Sequence, residues 1–227
     1  MDTWVISDMH LGARQCRARW LRAFLANVPS DVRLILNGDV ITRTRGADSL
    51  SADHAAALDD LRALSLRQEV IWIGGNHDRR VRVDGEHAFR FCGEYAIDKN
   101  LFIAHGDQFD HLSCTLRFVL LPLRIMYEFL TRVIGSQTHV ADFAKRFPWV
   151  YEILNGHVVR NATAYARTQG YAAVACGHTH HPGMRQDNGV TYYNTGCWTE
   201  NSAYVLVAKD GGTLQLRSVD QDGSLSG

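Results

Sequence analysis

The 227-residue chain lacks an excess of charge of either sign, because 24 lysines and arginines balance 24 aspartates and glutamates. This balance provides no global attraction to polyanions, so we expect no nucleic-acid partner. The five cysteines are scattered and have no CxxC spacing, which argues against a disulfide framework and against a thiolate zinc site. Together these absences favour a globular protein of the reducing cytoplasm.

Long uncharged apolar runs are also missing, since no stretch reaches the roughly 18 residues that a membrane-spanning helix needs. Residues 1–10, MDTWVISDMH, have no basic region before an apolar core, so we interpret them as a strand rather than a secretory signal. With 46% hydrophobic and 21% charged residues, the chain can bury one large core. We therefore predict a single domain over 1–227.

Short apolar runs rich in β-branched or aromatic residues recur along the chain and predict interior strands. They occupy 3–7, 32–36, 70–73, 101–104 and 172–176. Helical periodicity in 17–28 and 52–65 separates the first three runs, and strand alternating with helix predicts an α/β fold. Near the C-terminus, VTYYN at 190–194 is interpreted as a further strand, and two alternating segments around a KDGG turn predict an antiparallel hairpin.

Polar residues follow each of the five predicted strands, as SDMH, NGD, GGNHD, HGD and GHTH in turn. Side chains beyond the carboxyl ends of strands in an open α/β sheet converge on one crevice. Seven oxygen and nitrogen donors are too many for one tetrahedral zinc ion, but they suit two divalent ions that share a carboxylate. The candidate ligands are Asp8, His10, Asp39, Asn76, His105, His178 and His180.

The ordered set DxH, GD, GNHD, HGD and GHTH resembles the calcineurin-like metallophosphoesterase superfamily. This resemblance implies a four-layer α-β-β-α sandwich with a helical insertion, and a hydrolase of phosphoric esters or anhydrides. It implies that one ion is held by Asp8, His10, Asp39 and His180, and the other by Asp39, Asn76, His105 and His178. Mn²⁺ is the expected metal, with Zn²⁺ and iron left open.

The resemblance also implies a reaction in which a hydroxide shared by the two ions attacks phosphorus. His77 has the position of the family's catalytic histidine, which protonates the leaving oxygen or stabilises phosphoryl charge, and Asp78 is expected to orient it. Asn76 is a candidate substrate-binding residue, as are Arg79 and Arg80, whose guanidinium groups match phosphate geometry. The alternative is that Arg79 and Arg80 are solvated surface residues with no role in binding.

The sequences around the motif blocks resemble those of the branch that contains UDP-2,3-diacylglucosamine diphosphatases, enzymes of lipid A synthesis. They are ISDMHLG, HGDQFD, CGHTHHP and YYNTGCW. That branch implies a lipid-nucleotide substrate cleaved to UMP and a lipid monophosphate. The chain departs from it at His77, where those enzymes have arginine, and at Thr42, where an aspartate is expected. A histidine there suits esters whose leaving group needs a proton, so a phosphodiesterase or phosphomonoesterase acting on a soluble nucleotide or phosphoprotein is an alternative. A third interpretation is a non-catalytic scaffold.

Residues 109–170 separate the fourth and fifth polar blocks and contain no clear strand, so we predict a helical insertion that forms a lid over the site. Within it, 116–134 combines a broad apolar face with a narrow charged one. Two interpretations of that face stay open. It packs on the core or on another subunit, or it forms an acyl-chain groove with peripheral membrane contact. The oligomeric state is not predicted.

Overall fold

A computed structural model of the chain describes residues 1–42, 50–111 and 148–226. The strands are β1 (Thr3–Ile6), β2 (Arg33–Asn37), β3 (Val70–Ile73), β4 (Arg90–Cys92), β5 (Glu94–Ile97), β6 (Leu101–Ala104), β7 (Ala173–Cys176), β8 (Gly183–Asp187), β9 (Val190–Asn194), β10 (Ala203–Ala208) and β11 (Leu214–Val219). The helices are α1 (Ala18–Ala26), α2 (Ala52–Ser65) and α3 (Pro148–Thr168), with a 3₁₀ turn at Asp107–Phe109. The five predicted interior strands, both predicted helices and the C-terminal hairpin are confirmed.

The strands form two mixed sheets, in the orders β11-β10-β1-β2-β3-β4 and β5-β6-β7-β9-β8. In the first sheet β1 to β4 are parallel and β10 runs antiparallel to β1. In the second, β6, β7 and β9 are parallel, whereas β5 and β8 run antiparallel to their neighbours. Parallel strands end on the same edge, so the loops after β1, β2 and β3 lie together, as do those after β6 and β7.

The two sheets pack face to face, with helices on their outer faces. Val5, Ile35 and Ile71 point from the first sheet into a core that also contains Ile103 and Tyr193 of the second. The alternate residues of the first sheet face α1 and α2, because successive strand side chains point to opposite sides. The outer face of the second sheet packs on α3. This arrangement confirms the predicted four-layer α/β sandwich.

Three strands were not predicted from the sequence, namely β4, β5 and β8. Many of their side chains are exposed or half-buried, so they lack the apolar pattern by which the other strands were found. The predicted segment 116–134 lies outside the described residues, and α3 belongs to the predicted insertion 109–170. Within the described ranges, no helix combines the length and apolar character that a bilayer crossing requires.

Candidate metal centre

The loops after β1, β2, β3, β6 and β7 bring the seven predicted ligands together. One group of converging donor atoms comes from Asp8, His10 and His180, and a second from Asp8, Asp39 and His105, with the atoms of each group within 4.8 Å of one another. Asn76 joins them through Oδ1, which lies 3.3 Å from Nε2 of His105 and 3.0 Å from Nδ1 of His178. Residues from five separate loops thus surround one small volume.

The two carboxylates of the site are held in the same way. Oδ2 of Asp8 accepts a hydrogen bond from the backbone N–H of His178 at 3.0 Å, and Oδ1 of Asp39 accepts one from that of His77 at 2.8 Å. The second oxygen of each carboxylate faces imidazole rings. Oδ1 of Asp8 lies 3.1 Å from Nε2 of His180, and Oδ2 of Asp39 lies 3.4 Å from Nε2 of His105. One oxygen therefore fixes each carboxylate and leaves the other directed at the cluster.

The donor spacing fits metal ions. Two ligand atoms bound at about 2.1 Å to one ion stand roughly 3.0 to 3.5 Å apart. Nε2 of His10 lies 3.2 Å from Nε2 of His180, 3.8 Å from Oδ1 of Asp8 and 3.8 Å from Oδ2 of Asp39. The last two distances are too long for hydrogen bonds. Oδ2 of Asp39 faces both His10 and His105, so this single oxygen is positioned to contact an ion on either side.

The electrostatics of the cluster favour a cation. Burial lowers the pKa of His10 to about 3, which keeps its imidazole neutral and able to bind metal. Burial alone would lower the pKa of His105, but the carboxylates of Asp8 and Asp39 outweigh it and raise that pKa to about 10. Burial opposes ionisation of Asp39, yet the neighbouring histidines hold its pKa well below the usual range. The two buried carboxylates thus stabilise positive charge placed among them.

Five of the predicted ligands have a left-handed backbone conformation. Residues other than glycine seldom adopt positive φ, because this backbone conformation is strained. Residues strained in this way concentrate at functional sites. The φ values are 54° for Asp8, 52° for His10, 54° for Asp39, 61° for His178 and 54° for His180. Backbone hydrogen bonds hold these turns, from Asp8 N to Gly38 O at 3.0 Å and from His10 N to Asp39 O at 2.9 Å. The scaffold maintains the strain that aims the ligands inward.

Two glycines of the sequence motifs allow the carboxylates to approach the loops closely. A Cβ atom on Gly75 would overlap Oδ1 of Asp39 and lie 2.5 Å from its backbone nitrogen. A Cβ atom on Gly177 would overlap Oδ2 of Asp8 and Oγ of Ser7. The glycines of GNHD and GHTH are therefore required by close packing on the two carboxylates.

His77 lies at the exposed side of the cluster. Its ring meets that of His10 edge-on, with centroids 5.1 Å apart, and its Nε2 lies 3.9 Å from Oδ2 of Asp39. The His77 side chain is 40% exposed, whereas that of Asp39 is 3% exposed. The ring of His77 is thus more exposed than those of the four histidines among the predicted ligands.

Asp78 fastens the loops after β2 and β3 to each other. Its carboxylate accepts hydrogen bonds from the backbone of Gly75 at 2.7 Å and of Val40 at 2.6 Å, and from the indole of Trp72 at 3.1 Å. Burial raises its pKa, because the charged form is desolvated. These contacts show how Asp78 supports the site, and its predicted catalytic role stays a prediction.

The two predicted substrate-binding arginines differ in their surroundings. Nη2 of Arg79 donates to Oδ2 of Asp107 at 2.7 Å, which ties the loop after β3 to the loop after β6. Arg80 is exposed to solvent. Both lie close in sequence to Asn76 and His77, and their contact with substrate stays a prediction.

Two further contacts support the rings of predicted ligands. Oδ2 of Asp110 lies 3.0 Å from Nε2 of His178, so the carboxylate orients the ring whose Nδ1 faces Asn76. The hydroxyl of Thr42, where an aspartate was expected, lies 3.4 Å from Nδ1 of His10, which is a long contact. Asp110 and His178 are 68 positions apart, and no local pattern signals such a pair.

Comparison with known proteins identifies the family of the chain. The family described as calcineurin-like phosphoesterase matches residues 1–182. No curated protein sequence matches the chain. Among solved structures, vacuolar protein sorting 29 from Cryptosporidium parvum is similar, with a TM-score of 0.50 and 14% identity over 99% of this chain and 94% of that one.

Two further solved structures are also similar. Yfce, a phosphoesterase from E. coli, has a TM-score of 0.48 and 18% identity, covering 99% of this chain and 96% of its own. An archaeal phosphodiesterase has a TM-score of 0.45 and 14% identity, covering 96% and 99%. Identities this low show the fold alone, and neither the family match nor these structures singles out the lipid A branch. Because the family match spans most of the sequence and every motif block, the chain belongs to the calcineurin-like phosphoesterase family.

Proposed function

We propose that this protein is a metal-dependent phosphodiesterase or phosphomonoesterase that hydrolyses a soluble phosphate ester at a two-metal centre. The observation that carries this proposal is His77, a half-exposed imidazole beside the carboxylate of Asp39. Esters of ordinary alcohols expel a strongly basic oxygen, which benefits from a proton donor. Diphosphate cleavage has less need of one, since phosphate is a good leaving group.

The seven predicted ligands, which include Asp39, are the residues that would hold the ions. Two divalent ions, when bound, would polarise the phosphoryl oxygens and bring the pKa of a water molecule close to neutrality. The fold of the chain positions the ligand side chains. Asp8 and Asp39 are anchored through one oxygen each, and five left-handed turns fix the directions of the ligands. This preorganised arrangement means that little reorganisation is needed when an ester binds.

His77 is placed to act on the leaving oxygen. Its backbone N–H donates to Asp39, which fixes its Cα beside the centre, while its ring extends toward solvent. The ring can donate a proton to an ester oxygen without displacing any of the buried donors. Arg79, held by Asp107, adds a guanidinium group near the same opening.

Hydrolysis of UDP-2,3-diacylglucosamine is a weaker proposal for this chain. Its support was the sequences that flank the motif blocks together with the apolar segment 116–134, which lies outside the described residues. The comparisons support a calcineurin-like phosphoesterase and leave the substrate open. The preference for Mn²⁺, the cytoplasmic location and the peripheral membrane contact likewise remain predictions.

The test measures hydrolysis of bis(p-nitrophenyl) phosphate and diphenyl phosphate by the metal-loaded protein. If His77 is the general acid, His77→Ala lowers kcat by about 100-fold or more on diphenyl phosphate, whose leaving group is poorer, and by less on the nitrophenyl ester. His87→Ala is the matched control, because His87 bonds the carbonyl of Val83 away from the centre. Asp39→Asn should abolish both activities.

Three results would contradict the proposal. Equal losses on the two esters would exclude proton donation by His77. Loss of bound metal in His77→Ala would identify the residue as a ligand instead. Release of UMP from UDP-2,3-diacylglucosamine, without turnover of either diester, would return the assignment to the lipid substrate.

A further inference from the structure

A polar groove adjoins the metal centre and has no part in the proposed reaction. It lies between the loop that follows β1 and the loop that precedes β10, and it has a volume of about 540 Å³. Its lining includes Arg14, Gln15, Arg17, Thr199 and Asn201. A second cavity of about 470 Å³ shares Cys16, Arg17 and Asn201 with it and continues along the start of α1.

Both walls of the groove are tied to metal-centre residues. The backbone N–H of Ala13 donates to the carbonyl of His10 at 2.9 Å, so the first wall begins directly after that ligand. On the second wall, a carboxylate oxygen of Glu200, Sγ of Cys197 and a ring nitrogen of His180 lie within 4.8 Å of one another. The groove therefore opens beside His10 and His180, with Glu200 at the end nearest to His180.

The arginines in the groove differ from those nearby on α1. Arg19 and Arg22 form ion pairs with Asp53 and Asp60, at 2.9 and 2.6 Å. Arg17 instead donates to the neutral side-chain amide of Asn201 at 2.7 Å. Within the described ranges, no ion pair to a carboxylate is formed by Arg14 or Arg17. Their positive charge is thus available to a ligand.

We propose that this groove binds a second phosphate group of the substrate, so that the preferred substrates carry one phosphate at the metal centre and another between Arg14 and Arg17. Guanidinium groups bind phosphate through paired N–H donors, and the hydroxyl of Thr199 and the amide of Asn201 add uncharged donors in the same groove. This inference rests on the proposed function, because it names the substrate class of the same centre.

The experiment compares two ligands that differ by one phosphate. Adenosine 5′-phosphate and adenosine 3′,5′-bisphosphate are titrated into metal-loaded protein by calorimetry, and each is also tested as an inhibitor of bis(p-nitrophenyl) phosphate hydrolysis. The wild type should bind the bisphosphate about 10-fold to 100-fold more tightly, as expected for charge-assisted hydrogen bonds. Arg14→Ala and Arg17→Ala should each reduce that ratio by about 10-fold.

Arg22→Ala is the matched control, since Arg22 is paired with Asp60 and does not line the groove. It should keep the wild-type ratio. A wild-type ratio near one, or a ratio that survives in Arg14→Ala and in Arg17→Ala, would overturn the groove assignment even if the diester is hydrolysed. A ratio that depends on the two arginines, in a protein that hydrolyses no ester, would support the groove and refute the proposed function.

Discussion

Replacing Gly177 by alanine tests whether the site depends on close packing between loops. The added Cβ would overlap Oδ2 of Asp8 and Oγ of Ser7, and would lie 2.7 Å from Cβ of Ser7. Carbon atoms pack at about 3.5 to 4.0 Å, so the neighbours must move by about 1 Å. Ser7 has little freedom, because its hydroxyl lies 2.7 Å from that of Thr195 in a buried contact. The displacement therefore falls largely on the carboxylate of Asp8.

A shift of this size exceeds the tolerance of a metal site, which is about 0.2 Å in ligand distance. We expect Gly177→Ala to lower kcat/KM on bis(p-nitrophenyl) phosphate by about 100-fold, since a 1 Å misplacement typically costs that much. The free energy of unfolding should fall by about 1 to 3 kcal/mol, as for other overpacked sites. Initial-rate kinetics and chemical denaturation measure these two effects, and calorimetric metal titration measures the affinity of the site for the ion.

Gly183 provides the matched control, because a Cβ at that position would have no atom within 4 Å. Gly183→Ala on β8 should change the free energy of unfolding by less than about 0.5 kcal/mol and leave metal affinity intact. A folded Gly177→Ala protein with wild-type metal affinity would refute the reasoning, since Asp8 would then not depend on this glycine.

Three further predictions concern the surroundings of the centre. Asp110→Asn keeps the shape of the side chain but removes the charge beside His178, so it should weaken the binding of one ion by about 10-fold to 100-fold in a metal titration. Asp187→Asn is the control and should leave metal affinity unchanged. Thr42→Asp should tighten metal binding relative to Thr42→Val, because a carboxylate would orient His10 more strongly than the present 3.4 Å contact; equal affinities would exclude this support. Chelation should lower the Tm by about 5 to 10 °C, since metal at 100 times its Kd adds about 2.7 kcal/mol; an unchanged Tm would argue against ions at this cluster.

The sequence predicted those parts of the structure that depend on local pattern. Buried strands such as Val70–Ile73 are continuous apolar runs, and the polar residues after them mark their ends. The edge strands Arg90–Cys92 and Glu94–Ile97 carry exposed or half-buried side chains, so their pairing depends on neighbours that are distant in sequence. Propensity alone cannot identify such strands.

The same distinction holds in the site. Motif spacing predicted which seven side chains meet, because each stands at a strand end. It did not predict which oxygen of Asp39 faces the rings, since this is decided by the backbone N–H of His77. Nor did it predict that Asp110 supports His178, because that contact depends on how two loops of the second sheet fold against each other.

The strained turns connect the fold to the chemistry. Each left-handed residue other than glycine costs of order 1 kcal/mol or more, so the five turns together oppose folding by several kcal/mol. Metal need not supply that energy, because the turns are held by contacts that belong to the sandwich itself. The N–H of Asp8 bonds the carbonyl of Gly38, and the carbonyl of Asp8 accepts the N–H of Trp198 at 3.0 Å. Because these contacts belong to the packed sheets, we expect that removing the ions lowers stability without rearranging the turn at Asp8.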